Sequence, residues 1–226
     1  MEQQEIAIGL DIGTTKIVTI VGRKNEFNKI EILGFGKAKS LGVQRGVVSN
    51  ITQTIESIKH AVADAETDSG EKITNCVVGI AGQHIRSLQH SDYILRENED
   101  EVITQDDVDL LVQNVHKLVM LPGEEIIHVL PQEFKIDGEP NISEPIGMLG
   151  RRLEANLHIV VGQKAAIGNI ISCVKNSDID VSTITLEPLA SAEAVLSDEE
   201  REAGVCLVDI GGGTTDVAIF KDGIIR

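Results

Sequence analysis

The sequence predicts an α/β fold in which two related domains open with the same strand–turn–strand hairpin and the first carries a small α+β insertion. Three observations predict it. Aromatic residues are scarce, four Phe, one Tyr and no Trp in 226 residues, so the core must be Ile, Val and Leu, which suits buried parallel or mixed strands. Short β-branched runs alternate with stretches of helical apolar spacing. One glycine-threonine segment near the start recurs near the end of the sequence.

Taken in order, Ile6–Val21 is an apolar run, a Gly13-Thr14-Thr15 break and a second apolar run, which signals a hairpin. A third strand over Ile30–Phe35 continues the meander. Asn50 opens a helix with Ile51, Ile55, Ile58 and Val62 as its buried stripe, and the acidic stretch Asp64–Glu71 ends it. Cys76–Ala81 reads as a buried strand. The character then changes. Ile85–Leu95 is a strand, followed by the acidic run Glu97–Glu101. Thr104 caps a helix with Asp107 as the capping-box carboxylate and Val108, Leu111, Val112, Val115 and Val119 as its buried face. Glu125–Ile136 and Leu153–Val161 are two more strands, joined by the loop Asp137–Arg152. Strands around one helix make residues 83–162 an inserted α+β module. Helical spacing returns over Gln163–Val174 through Ile167, Ile170, Ile171 and Val174. Glu187–Leu196 is a short helix of small residues, and Ser197–Ala203 is a solvated acidic linker.

Composition bounds the function. The chain is 42% hydrophobic and 25% charged, with 21 Gly and 5 Pro, the profile of a soluble globular protein rather than a disordered one. A net charge of −16, from 36 acidic and 20 basic residues, repels phosphodiester backbones and anionic lipid and argues against nucleic-acid binding. No apolar run reaches the roughly eighteen residues that a membrane span needs. Met1–Glu5 is acidic where a signal peptide is basic. Cys76, Cys173 and Cys206 each sit in an apolar run, as core thiols do in a reducing compartment, so the chain reads as cytoplasmic. His60, His84, His90, His116, His128 and His158 show no metal-ligand spacing, and no Ser-His-Asp or Cys-His arrangement supports covalent catalysis.

The repeat carries the chemistry. Cys206–Phe220 mirrors Gly9–Ile20: an apolar strand ends in Asp-Ile-Gly, a Gly/Thr turn follows, and a second apolar strand leaves. Two such turns can close on a polyphosphate from opposite sides, because glycine admits close backbone approach and successive N–H groups form an anion nest. Gly13, Thr14 and Thr15 face Gly211, Gly212, Gly213, Thr214 and Thr215 in this reading, and Lys16 adds a point charge. Asp11 and Asp209 at the strand ends can hold waters of a bridging Mg²⁺, with Asp216 in support. Competing phosphate motifs are absent: there is no G-x-x-x-x-G-K-[ST], and Gly34-Phe35-Gly36-Lys37 lacks the third glycine of a dinucleotide fingerprint.

These residues resemble the phosphate-1 and phosphate-2 signatures of the actin, Hsp70 and sugar-kinase superfamily, and Leu186–Ala192 resembles its first connecting helix. Within the superfamily the chain resembles the FtsA family of actin-like bacterial cell-division proteins, on Ile8–Lys16, Gly42–Val48, Val78–Gly82 and Leu186–Leu196. The resemblance implies an actin-like, ribonuclease H-like ATPase fold. Subdomain 1A would comprise residues 1–82 and 163–203, the inserted subdomain 1C (an SHS2 domain) residues 83–162, and the start of subdomain 2A residues 204–226. It implies ATP and Mg²⁺ as cofactors. Asp11 and Asp209 would flank the ion, and Gly13, Thr14, Thr15 and Lys16 would hold the phosphates opposite Gly211, Gly212, Gly213 and Thr214. Glu187 would orient the attacking water; a carboxylate favoured by its helix N-terminus is the competing reading. Implied partners are FtsZ, later divisome proteins through residues 83–162, and further copies of the protein in filaments at the membrane of the division septum. Family members run on past the second hairpin, so the chain is expected to be a fragment. It would lack the adenosine-binding segment, the FtsZ contact and a C-terminal amphipathic membrane helix, and would bind ATP weakly or not at all. Two alternatives share the hairpins: a PilM-like pilus-assembly ATPase, and a sugar or acetate kinase, which needs a second substrate pocket and a base. An Hsp70-like chaperone would need a peptide-binding domain.

Overall fold

In the computed structural model, residues 6–27, 29–98 and 100–226 are described; the acidic Met1–Glu5 segment lies outside them. β1 (Ile6–Ile12) and β2 (Lys16–Lys24) pair antiparallel, from Ile6 opposite Arg23 to Ile12 opposite Ile17. β3 (Ile30–Lys39) continues the meander and runs past the expected end at Phe35. β4 (Val43–Gln44) and β5 (Val47–Val48) form a small hairpin around Arg45 and Gly46. α1 (Ile51–Ser69) starts at Asn50, whose Oδ1 accepts from the Gln53 N–H at 3.1 Å. Its end is set by Gly70, left-handed at φ 71°, rather than by the acidic run from Asp64. The buried stripe keeps the expected Ile58 and Val62 but not Ile51. Thr54, Ser57, Ile58, Ala61, Val62 and Ala65 face inward while Ile51 is 46% exposed. Small residues win that face because Gly36 of β3 lies so close that a Cβ there would overlap the Ala61 carbonyl.

β6 (Asn75–Ile80) and β7 (Ile85–Leu95) follow. α2 (Gln105–Val115) carries the expected capping box, in which Asp107 accepts from the Thr104 N–H at 2.9 Å. The helix stops at Val115, so Val119 is not on its buried face but 96% exposed. β8 (Glu124–Ile136), β9 (Glu139–Ile142) and β10 (Arg152–Gln163) complete the module; β9 lies in the segment expected to be loop. Then come α3 (Lys164–Lys175), β11 (Asp180–Leu186) and α4 (Glu187–Val195). The expected linker holds a helix, α5 (Asp198–Ala203), because Ser197 and Glu200 form a capping box. It buries none of its residues, which is why apolar spacing gave no sign of it. β12 (Val205–Ile210), β13 (Thr215–Lys221) and β14 (Ile224–Ile225) end the chain.

The chain divides into two compact units. The first holds residues up to His84, Lys164–Leu196 and Cys206–Ala218; the second holds Ile85–Gln163, Ser197–Val205 and Ile219–Arg226. In the first, a mixed sheet has the order β11-β6-β1-β2-β3, with β1, β6 and β11 parallel. Leu10, Ile12, Ile17 and Val21 are buried, α1 packs on β2 and β3, and α3 packs on α1 and β11. Cys76 and Cys173 are core thiols as expected, and burial pushes the Cys76 thiol up to about 11. Cys206 is not: the alternation of β12 puts it on the exposed face with Val208 and Ile210.

In the second unit an antiparallel sheet, β7-β10-β8-β9, packs Phe134, Ile136, Leu153, Leu157 and Ile159 against Val108, Leu111 and Val115 of α2. Its loops are fastened by Arg96, whose side chain is 7% exposed. Its guanidinium donates to the carbonyls of Glu101 (2.8 Å), Val102 (2.7 Å) and Gly150 (2.7 Å) and to the Asp107 carboxylate (3.2 Å). Removing a buried charge partner costs about 3–5 kcal/mol, and the part-exposed Asp107 lowers that toward about 2–4 kcal/mol. Arg96→Ala is therefore expected to lower urea stability by that amount. Arg96→Lys should recover less than half, since an ammonium cannot span four acceptors; full recovery by Lys would refute the fork geometry.

Candidate functional site

The parallel strands bring their carboxyl ends together, the usual place for a ligand crevice in such sheets. Asp11 stands near the end of β1, Gly79 near the end of β6, and Glu187 begins α4 directly after β11. Pro188 follows at the start of α4, where a missing N–H costs nothing. Glu187 lies over Gly79, where a Cβ would stand 3.1 Å from Glu187 Cγ, so glycine is what leaves room for the carboxylate.

The second hairpin meets the first. Its turn is closed by the Gly211 N–H donating to the Thr214 carbonyl at 3.0 Å. Gly212 lies against the Thr15 side chain, and a Cβ at Gly213 would stand 2.7 Å from Thr14 Oγ1. The two glycine-threonine turns thus face each other in van der Waals contact, and any side chain at residues 212 or 213 would drive them apart.

Asp11, Glu187 and Asp209 line one cleft of about 380 Å³, together with Gly79 and Ser191. Burial is the largest cause pushing the Asp11 carboxyl up; Lys16 opposes it and Asp209 adds to it. Glu187 is pushed to about 8, first by burial and then by Asp11, Asp216 and Asp209. The Ser191 hydroxyl donates to Asp209 Oδ2 at 3.2 Å. Asp216 and Thr214 line a separate cavity with Arg45. Among the described residues no three His, Cys, Asp or Glu side chains form a cluster that could hold a metal ion directly.

All the residues singled out in the sequence, Asp11, Gly13, Thr14, Thr15, Lys16, Glu187, Gly211, Gly212, Gly213, Thr214, Asp209 and Asp216, lie in the first unit. Ser191 and Arg45 were not identified as site residues. Ser191 sits one turn after Glu187, on a helix whose small residues gave the only hint. Among the histidines, His84 and His158 are buried.

The fold and the facing turns define an actin-like ATPase fold carrying an SHS2 domain. Residues 82–161 match the family described as the SHS2 domain inserted in FtsA. Over its whole length the chain is similar to part of the cell division protein FtsA of several bacteria. It is 41% identical over 227 residues to the cell division protein FtsA of Neisseria meningitidis, covering 100% of this chain and 54% of that protein. Identity to the FtsA of Escherichia coli K12 is 32% over 223 residues, covering 99% and 53%. The chain spans about half the length of the relatives it matches. Among solved structures, the PilM–PilN type IV pilus biogenesis complex has TM-score 0.68 at 11% identity, covering 99% of this chain and 60% of that one. The ethanolamine utilization protein EutJ of Carboxydothermus hydrogenoformans has TM-score 0.51 at 17% identity, covering 99% and 50%. At these identities the two structures establish the fold alone. No helix among the described residues is long and apolar enough to cross a membrane.

The crowded carboxylates have a measurable consequence. Below about pH 4.5 Glu187 is protonated folded or unfolded; between 4.5 and about 8 only the folded chain keeps the proton, and beyond 8 neither does. Stability is present at the acid end of this window and is lost as pH rises through it. Urea titrations should show that fall, and Glu187→Gln should flatten it; an unchanged slope in the variant would place Glu187 outside the cleft.

Proposed function

We propose that the chain is the nucleotide-gripping part of an actin-like cell-division protein, which holds Mg-ATP between its two hairpins and uses it as a conformational clamp. The observation that carries this reading is the contact of the two glycine-threonine turns with carboxylates from both hairpins crowded beside them. Gly13, Thr14, Thr15 and Lys16 bind the phosphates from one side, and Gly211, Gly212, Gly213 and Thr214 from the other, with backbone N–H groups and hydroxyls as donors. Asp11, Asp209 and Asp216 hold the water shell of Mg²⁺. The ion supplies charge neutralisation of the phosphates. Ser191 holds Asp209 in position through its hydrogen bond. The Glu187 carboxyl is pushed up to about 8; a bound cation would favour its charged form, which would orient a water toward the terminal phosphate. Turnover need only be slow for a clamp.

The division role rests on the sequence match with relatives named as cell division proteins. In that setting residues 83–162 contact later divisome proteins or neighbouring copies in a filament. FtsZ is a partner of the whole protein, and the site of action is the cytoplasmic face of the membrane at the septum. The PilM likeness, at 11% identity, concerns the fold and does not favour a pilus role. A sugar or acetate kinase is disfavoured because the cleft shows no dedicated base beyond the phosphate-site acids.

On the full-length protein, Asp209→Ala should abolish Mg-ATP binding by calorimetry, while Ser191→Ala should weaken it about 10-fold, the lower end of what one hydrogen bond to a charged group contributes. Unchanged affinity in Asp209→Ala would defeat the clamp.

A further inference from the structure

In the first unit β3 is the outermost strand of the sheet, next to β2. One side of its backbone pairs with β2 and the other side is an edge. The ladder fixes which residues point which way. The Ser40 N–H donates to the Thr15 carbonyl, on the β2 side, at 3.1 Å, and no register shift interrupts the pairing between Gly34 and Lys39. Antiparallel pairing alternates, so Gly36, Ala38 and Ser40 bond toward β2 while Phe35, Lys37, Lys39 and Leu41 present their N–H groups outward. α1 catches both ends of that outward row. The Phe35 N–H donates to Asp68 Oδ2 at 3.0 Å, and the Leu41 N–H to the Ser57 hydroxyl at 3.2 Å. Between them, the N–H groups of Lys37 and Lys39 have no partner among the described residues.

The open stretch borders a cavity of about 440 Å³. Lys37, Lys39 and Leu41 form one wall, and Glu56, His60, Ala63 and Asp64 of α1 form the other. A strand edge running beside a helix is a groove that accepts an extended peptide as one more strand. Charge is distributed unevenly over it. A Cβ at Gly34 would strike Ser69 and one at Gly36 the Ala61 carbonyl, so these positions face α1. Phe35, Lys37 and Lys39 therefore project from the opposite face of the sheet. Lys16 of β2 stands directly opposite Lys39 on that face, and like charges side by side cost stability. Among the described residues neither Lys37 nor Lys39 makes an ion pair.

We propose that the β3 edge takes an extended segment of a partner protein, with acidic side chains at alternate positions and small ones between them. The residues set opposite Lys37 and Lys39 exchange main-chain hydrogen bonds with them and carry carboxylates on the ammonium face. The intervening residues turn toward α1, where Ala63 leaves room and the Glu56 and Asp64 carboxylates exclude further acid. Charge also decides against a second copy of this chain as the occupant. Two such edges paired antiparallel would set lysine against lysine, which is how natural sheet edges resist self-association. The groove shares no lining residue with the Asp11–Glu187–Asp209 cleft, and the inference does not rest on the nucleotide reading.

The test uses the full-length protein at low salt and labelled synthetic peptides read by fluorescence anisotropy. One peptide alternates Glu and Thr, and its comparison alternates Lys and Thr. The Glu-Thr peptide should bind more tightly, although the net charge of −16 on this chain favours the opposite order for non-specific attraction. Reversing both lysines, Lys37→Glu with Lys39→Glu, should weaken the Glu-Thr peptide about tenfold, as two exposed pairs turn from attraction to repulsion. The same variant should bind the Lys-Thr peptide more tightly than the unchanged protein does. N-methylation of the Glu amides should abolish binding, whereas N-methylation of the Thr amides, which point away from β3, should be tolerated. Hydrogen exchange read by mass spectrometry should slow over Phe35–Leu41 when the Glu-Thr peptide is bound. Circular dichroism confirms that the variant is folded. No binding of the Glu-Thr peptide, binding indifferent to the two lysines, or binding indifferent to which amides are methylated would overturn the proposal. Protection of Phe35–Leu41 that rises with protein concentration in the absence of peptide would put a second copy on the edge and overturn it as well.

Discussion

The contact between the two glycine-threonine turns is the constraint on which the first unit depends. Bringing Gly212 onto Thr15 and Gly213 onto Thr14 leaves no space for a Cβ at either glycine. It also carries Asp209 and Asp216 into the field of Asp11 and Glu187. Asp11, Glu187 and Asp209 in one part-buried cleft, with the Asp216 charge also acting on Glu187, cost stability at neutral pH unless protons or a cation offset them. A fold that keeps such an arrangement carries a standing demand for positive charge, and only Lys16 among the nearby side chains supplies any to Asp11.

The rest of the unit serves that arrangement. Parallel pairing of β1, β6 and β11 aligns their carboxyl ends, so Asp11, Gly79 and Glu187 converge although they are far apart in the chain. α1 presses so tightly on β3 that Gly36 and the small residues Thr54, Ser57, Ala61 and Ala65 share the contact with Ile58 and Val62, while Ile51 is turned outward. The second unit stands on different physics. An aliphatic layer between α2 and an antiparallel sheet supplies the burial, and one buried guanidinium ties the loops around α2 to β10.

Much of this was legible in the residues because local chemistry and global fold agree. The Asn50 and Thr104 caps, the strand Ile85–Leu95 and both hairpins stand where spacing placed them. The failures have separate causes. Ile51 fits an ideal apolar stripe but is exposed, since helix phase is chosen by how close a sheet can come, and Thr54 and Ser57 fit better there. Val119 continues the period of α2 past the point where the helix stops. α5 has a capping box and no apolar face, so only its cap could have announced it. β11 lacks turn residues at its end because it leads straight into α4. Within the site, Asp11, Asp209 and the turn glycines belong to the internal repeat, whereas Gly79, Glu187, Ser191 and Arg45 belong to neither copy. The importance of Ser191 and Arg45 comes from what the fold sets beside them, Asp209 in one case and the second turn in the other.

The most direct measurement is the carbon-13 titration of the Glu187 carboxyl by NMR, in the unchanged chain and in Asp209→Asn. The carboxylate-crowding account requires a midpoint near 8 that falls when the Asp209 charge is removed. A midpoint near the ordinary 4.5, or one that ignores the Asp209 substitution, would show that the two hairpins do not share a cleft.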